Sequence, residues 1–138
     1  RFVRISNHDE TLIFTGGACL NNERANPTTG FGFAFLPRDI RVSPQVKYGT
    51  VAFRLENKSS YGSPAEQTSN RAELRAVIAA LQFRAWHRVG WKRIVIATDS
   101  EYAINMTSKK VPVKNRDLWE LLMKVIKRLT DQGVEVLF

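Results

Sequence analysis

Apolar positions follow two regimes along this chain. In the first half they form short runs closed by turn formers. Leu12-Ile-Phe-Thr15 stops at Gly16-Gly17, Phe31-Gly-Phe-Ala-Phe-Leu36 ends at Pro37, and Val51-Ala-Phe-Arg-Leu55 is closed by Asn57-Lys-Ser-Ser60. Runs of that length and composition predict three strands. Asn21 to Gly30 and Asn57 to Pro64 read as loops from their Asn, Pro, Gly and Ser content.

The second half changes period. Leu74, Val77, Ile78, Leu81 and Ala85 fall at helical spacing and predict one buried face on a helix over Asn70–Trp86, broken by Gly90. Ile94-Val-Ile-Ala97 is a continuous apolar run, as expected of a central strand buried on both faces. A short helix is predicted from Ser100 to Met106, with a break at Pro112. Leu118, Leu121, Leu122, Val125, Ile126 and Leu129 predict a second amphipathic helix. Gly133 suits its C-terminal cap, and Val134–Phe138 reads as a last strand. Three strands, a helix, a strand, helices and a strand give an α/β fold around a five-stranded mixed sheet.

Length and composition narrow the class. The 138 residues suit a single domain, 1–138, and 43% hydrophobic residues can fill one core. No repeat or low-complexity tract interrupts it. No apolar run approaches about 18 residues, so no membrane helix is predicted, and Arg1-Phe-Val-Arg4 does not resemble a signal peptide. With Cys19 the single cysteine, no internal disulfide can form, which suits an intracellular, reducing location. Charge adds the first functional clue. Lys and Arg number 21 against 13 Asp and Glu, a net +8, and such a field attracts polyanions, nucleic acids above all.

Two carboxylates stand out by placement. Asp99 follows the buried strand in Ala97-Thr-Asp-Ser100, at the sheet edge where α/β proteins build their sites. Glu73 lies in the first predicted turn of the long helix. If helix and strand are neighbours, the two acids converge on a hard divalent cation such as Mg2+. Each also has a purely local reading. Asn70 and Glu73 have capping-box spacing, and Asp99 is placed to cap the helix after it.

Four stretches together resemble the type 1 ribonuclease H family, most of all its fungal members. They are Thr15-Gly-Gly-Ala-Cys19, Thr68-Ser-Asn-Arg-Ala-Glu-Leu74, Ala97-Thr-Asp-Ser-Glu-Tyr102 and Pro112-Val-Lys-Asn-Arg-Asp-Leu-Trp119. The resemblance implies a ribonuclease-H-like fold. It also implies cleavage of the RNA strand of RNA–DNA hybrids with two Mg2+ ions held by four carboxylates, Mn2+ being a substitute. By position, Glu73 and Asp99 match two of those acids. Asn22, Ser69 and Asn70 match residues that read the hybrid's minor groove, where 2′-hydroxyls mark the RNA strand. Thr68 and Asn115 match residues that hold a phosphate of the DNA strand. Locally, Thr68 also suits a turn cap and Asn115 the N-cap of the last long helix. Trp86, Trp91, Trp119 and Cys19 are expected to pack in the core, and His87 to have no catalytic part.

The chain departs from the family where the chemistry lies. The family's first strand ends Thr-Asp-Gly. Here Gly16 stands where an aspartate would bridge both metals. The family continues past the strand that ends at Phe138 into a helix bearing its fourth aspartate. Between Tyr102 and Pro112 the family's longer, Trp-containing basic handle is reduced to Ala103–Val111. Glu66 stands near a phosphate-binding arginine of some relatives. The resulting expectation is a monomeric hybrid-binding protein whose nuclease activity is impaired or lost through Gly16. The alternative is a non-catalytic module for hybrids or double-stranded RNA.

Overall fold

The computed structural model describes residues 9–21, 26–35, 49–59, 61–105 and 114–138. Leu36, Met106, Val111 and Pro112 of the expected elements lie outside them. The first apolar run belongs to β1 (Glu10–Leu20), whose Thr11, Ile13 and Thr15 are buried while Phe14 points away from the core. It pairs antiparallel with β2 (Thr28–Phe35), which in turn pairs antiparallel with β3 (Gly49–Arg54). Phe31, Phe33 and Phe35 alternate onto the buried face of β2. The chain then forms α1 (Ser69–Gln82) and α2 (Trp86–Val89), followed by β4 (Arg93–Ala97). After it come α3 (Glu101–Asn105), α4 (Arg116–Asp131) and β5 (Glu135–Leu137). The sheet order is β3-β2-β1-β4-β5, with β4 parallel to both β1 and β5. This is the expected five-stranded mixed sheet with flanking helices.

Several expectations are corrected. β1 does not stop at Gly16-Gly17 but runs through both to Leu20. The glycines thin the strand rather than end it. A Cβ at Gly17 would lie 2.5 Å from the carbonyl carbon of Ala72 and the backbone nitrogen of Glu73, so α1 crosses β1 in a contact that only glycine allows. Gly16, whose Cβ would face open space, carries no such constraint. The predicted helix 70–86 is two helices. α1 ends at Gln82, and the chain turns so that the Trp86 indole, 1% exposed, donates from Nε1 to the Ala80 carbonyl at 3.1 Å. Gly90, at φ 94°, ends α2 as anticipated. β4 is not buried equally on both faces. Ile94 and Ile96 are fully buried while Val95 and Ala97 are half-buried, because the core cluster of helix residues lies on the isoleucine side.

That core joins Ile13, Phe33, Ile94 and Ile96 to Leu74, Val77, Ile78 and Leu81 of α1 and to Leu118, Trp119, Leu122, Val125 and Leu129 of α4. Trp86, Trp91 and Trp119 are all buried, as expected. At the end of α4 the Val134 N–H reaches back to the Leu129 carbonyl at 2.8 Å and the Gly133 N–H to Thr130 at 3.0 Å. With Gly133 at φ 82° this is a Schellman cap, and it aims the buried Val134 into β5. At the start of β4, Arg93 bonds Glu135 at 2.8 Å and Glu10 at 3.3 Å, and these partners raise its pKa. No helix among the described residues is long and apolar enough to cross a membrane.

Candidate acidic site and phosphate pocket

The topology brings three sequence-distant positions to one sheet edge. Parallel pairing sets Phe14 beside Ala97, and two residues further along each chain come Gly16 and Asp99. Gly17 touches the backbone of Glu73. Glu73 is half-buried and Asp99 exposed.

Neither carboxylate has the local role that competed with a functional one. The N-cap of α1 is Thr68, not Asn70. Thr68 adopts extended backbone angles, and its hydroxyl accepts the Arg71 N–H at 3.2 Å. Glu73 therefore falls beyond the first turn, and no capping box forms with Asn70. After β4, Ser100 caps α3, its Oγ accepting the Ala103 N–H at 3.1 Å. Thr98 Oγ1 in turn accepts the Ser100 N–H at 3.1 Å, so Asp99 caps nothing. Among the described residues, neither the Glu73 nor the Asp99 carboxylate enters a hydrogen bond or ion pair.

A second feature includes neither acid in its lining. A cavity of about 680 Å³ opens between the N-termini of α1 and α4. Thr68, Ser69 and Asn70 line one side, Lys114, Asn115 and Arg116 another, and the loop carrying Tyr61 and Glu66 a third. Two helix N-termini and three cationic side chains, Arg71 (paired with Asp117), Lys114 and Arg116, make the cavity attractive to an anion. Glu66 contributes the opposite charge. The structure thus brings Thr68, Ser69, Asn70 and Asn115 together, while Asn22 lies outside the described residues.

Asn115 does occupy the N-cap position of α4, but its side chain makes no cap bond. Its Nδ2 instead donates to the Tyr102 hydroxyl at 3.2 Å, and that hydroxyl donates to the Lys114 carbonyl at 3.2 Å. Cys19 is half-buried rather than deep in the core. Its thiol donates to the Gln67 carbonyl at 3.3 Å and accepts from the Thr29 hydroxyl at 3.1 Å, which ties β1 to the approach of α1.

Three contributors were not visible in the sequence. Arg71 and Asp117 form a buried two-pronged ion pair at 2.8 and 2.9 Å, across 46 residues of chain. The two sides of the loop, residues 57–59 and 61–64, are tied together by the Lys58–Pro64 bridge and the Ser59–Ser63 bonds. Tyr61 at its tip hydrogen-bonds Glu120 of α4, which also bonds Arg116 at 3.0 Å. The bond raises the Tyr61 pKa and, with Arg116, lowers that of Glu120.

An α/β domain that leads with a three-stranded meander and adds parallel strands on the far side of β1 has the ribonuclease-H-like architecture. Comparison with known proteins carries this to a family. The RNase H family model matches residues 8–135, and the chain belongs to the RNase H family. It is 34% identical over 137 residues to the Ribonuclease H of Treponema pallidum subsp. pallidum, covering 89% of this chain and 76% of that protein. That relative is bacterial, so it bears on the family and not on the fungal-type likeness of the motifs. Among solved structures, RNase H1 from the halophilic archaeon Halobacterium salinarum superimposes with a TM-score of 0.54 at 21% identity, over 94% of this chain and 83% of that one. The foamy viral protease-reverse transcriptase, solved in complex with an RNA/DNA hybrid, matches with a TM-score of 0.60 at 13% identity, over 91% of this chain and 16% of that one. These two likenesses are likenesses of fold.

Proposed function

We propose that this chain is a monomeric, intracellular RNA–DNA hybrid-binding member of the family whose RNA-strand hydrolysis is impaired at Gly16. The observation that carries the reading is the meeting of Gly16, Glu73 and Asp99 at one sheet edge, with both carboxylates unengaged by capping or ion pairing. Thr68 and Asn115, at the mouth of the cavity, are the donors for a DNA-strand phosphate. Ser69 and Asn70 beside them, with Asn22, contact the minor groove. The net charge of +8 supplies the long-range attraction. The hybrid bound to the foamy viral neighbour is consistent with this choice of ligand.

RNase H enzymes generally use divalent metal ions, so the donor set is the test of chemistry. Glu73 and Asp99 offer carboxylate oxygens of the kind Mg2+ or Mn2+ takes. They are two, and no group of three or more His, Cys, Asp or Glu side chains able to hold a metal occurs among the described residues. The residues present suit one largely hydrated ion and not a bridged pair. A pair of ions, when held, supplies the activated water and the charge stabilisation for phosphodiester cleavage. Here Glu73 and Asp99 would hold a single ion beside the hybrid, and the bridging position has no ligand. The defect is chemical rather than steric, because a side chain at 16 would project into open space.

The experiment is hybrid binding and cleavage by the chain and by Gly16→Asp, in Mg2+ and in Mn2+. The chain binds the hybrid and cuts it negligibly, and Gly16→Asp raises metal-dependent cleavage by orders of magnitude. Robust Mg2+-dependent cleavage by the unaltered chain overturns the proposal, and so does affinity for a hybrid no greater than for duplex DNA.

A further inference from the structure

We infer that Arg71 is a positioning residue for the phosphate subsite, orienting Asn115 rather than touching the substrate; the inference rests on the assignment of Thr68 and Asn115 proposed above. Those two residues sit at the starts of different helices, far apart in sequence, and nothing local sets their separation. Arg71 contacts both. Its backbone N–H donates to Thr68 Oγ1 at 3.2 Å. Its guanidinium spans to α4, where Nη1 and Nη2 meet the two oxygens of Asp117 at 2.9 and 2.8 Å and Nη1 also reaches Asn115 Oδ1 at 3.4 Å.

The geometry of Asn115 shows why it needs holding. It sits at φ 58°, ψ 28°, a left-handed conformation uncommon outside glycine, and its side chain gives up the usual capping bond. A neutral amide offers an anion either its oxygen or its NH2. A guanidinium only donates, so it fixes the Oδ1 edge toward Arg71 and leaves the NH2 edge for Tyr102 and an incoming oxyanion. Arg71 lines the cavity together with Asp117, but its charge is already taken up by that partner, so it is poorly placed to be the anion's own counter-ion. It is 6% exposed and its charge is matched by Asp117 at 7%. A buried pair of that kind is weak evidence of stabilisation, since apolar replacements of similar size are often tolerated, and a specifying role is its better-attested use. Lys114 and Arg116 also line the cavity, Arg116 in an ion pair with Glu120 at 3.0 Å.

The test is the affinity for a short RNA–DNA hybrid in chelator, measured with unfolding midpoints for every variant. Asn115→Ala weakens binding about fivefold, the worth of one hydrogen bond. Arg71→Met with Asp117→Leu, which removes the pair without stranding a charge, weakens binding by the same factor. Adding Asn115→Ala to that pair gives no further loss. Arg71→Lys keeps the charge but not the fork; it shows the same loss with a near-parental midpoint, and it serves if the paired replacement fails to fold. Parental affinity in Arg71→Lys and in the paired replacement, while Asn115→Ala weakens binding, overturns the inference. So do losses that add independently. If Asn115→Ala itself leaves affinity unchanged, the subsite assignment fails first and takes the inference with it, while hybrid binding by the rest of the surface stands.

Discussion

Gly16 and Gly17 are chemically identical neighbours in one strand, and the structure assigns them opposite responses to the same substitution. In Gly17→Ala the new methyl carbon would stand 2.5 Å from Ala72 C and Glu73 N and 2.7 Å from Ala72 Cβ. Carbon contacts settle near 3.5–4.0 Å, so α1 must retreat by roughly 1 Å. All of these atoms belong to the start of a helix that carries Leu74, Val77, Ile78 and Leu81, so no single rotamer can absorb the clash. Overpacking of this kind costs about 1–3 kcal/mol, and a clash with backbone belongs at the upper end. The lower chain entropy of alanine returns about 0.5–1 kcal/mol, leaving Gly17→Ala destabilised by about 2 kcal/mol. Gly16→Ala meets nothing within 4 Å and keeps the entropic gain alone. The two variants should differ by about 3 kcal/mol. With a urea m-value of about 2 kcal/mol/M, that separates their unfolding midpoints by about 1.5 M. Coincident midpoints, or a lower one for Gly16→Ala, would refute the claim that α1 rests on Gly17 and leaves position 16 open.

Other outcomes follow from single contacts. Trp86→Phe removes the indole donor to the Ala80 carbonyl and part of a fully buried ring. It lowers stability by about 2 kcal/mol, read by thermal unfolding. Thr68→Ala removes the α1 cap for about 1 kcal/mol, while Thr68→Ser retains the midpoint. The Tyr61–Glu120 bond makes a pH signature with two edges. Glu120 is held below its ordinary value of 4.5, so its contribution is present above that value and is lost as pH falls through the lowered one. Tyr61 is raised above 10.0, so its contribution is present below that value and is lost as pH climbs through the raised one. Tyrosinate absorbance in Glu120→Gln should show the Tyr61 titration returning toward 10.0.

The sequence carried most of the sheet, because β1, β2 and β4 announce themselves as apolar runs and α4 as a helical stripe. It misplaced boundaries where tertiary contact overrides local pattern. Gly16-Gly17 looked like a turn, since a glycine used for close approach to a helix is indistinguishable from one used for bending. Ala85 continued the helical spacing of α1 and drew the predicted helix on to Trp86, yet α1 ends at Gln82 and the Trp86 indole turns back to the Ala80 carbonyl. Asn70 and Glu73 had the spacing of a capping box, and Thr68 took the cap because it lies at the actual bend. For the candidate site, Glu73 and Asp99 were legible from their motifs and their place at the strand's end. The pairing of Arg71 with Asp117 was not, because no periodicity or spacing relates two residues on separate helices.

The strand order has a consequence in time. β1 and β2 follow one another directly, but Glu10 finds Arg93 on β4 across 83 residues. A loop about ten times longer costs about 2 kcal/mol more to close. The meander with α1 can therefore form before β4 docks, and pulsed hydrogen exchange should protect Phe33 ahead of Ile94 and Ile96. Glu73 arrives with the early part and Asp99 with the late one. The acidic pair is completed only by the most distant strand pairing among the described residues, so a local release of β4 would dismantle it while the meander remained folded.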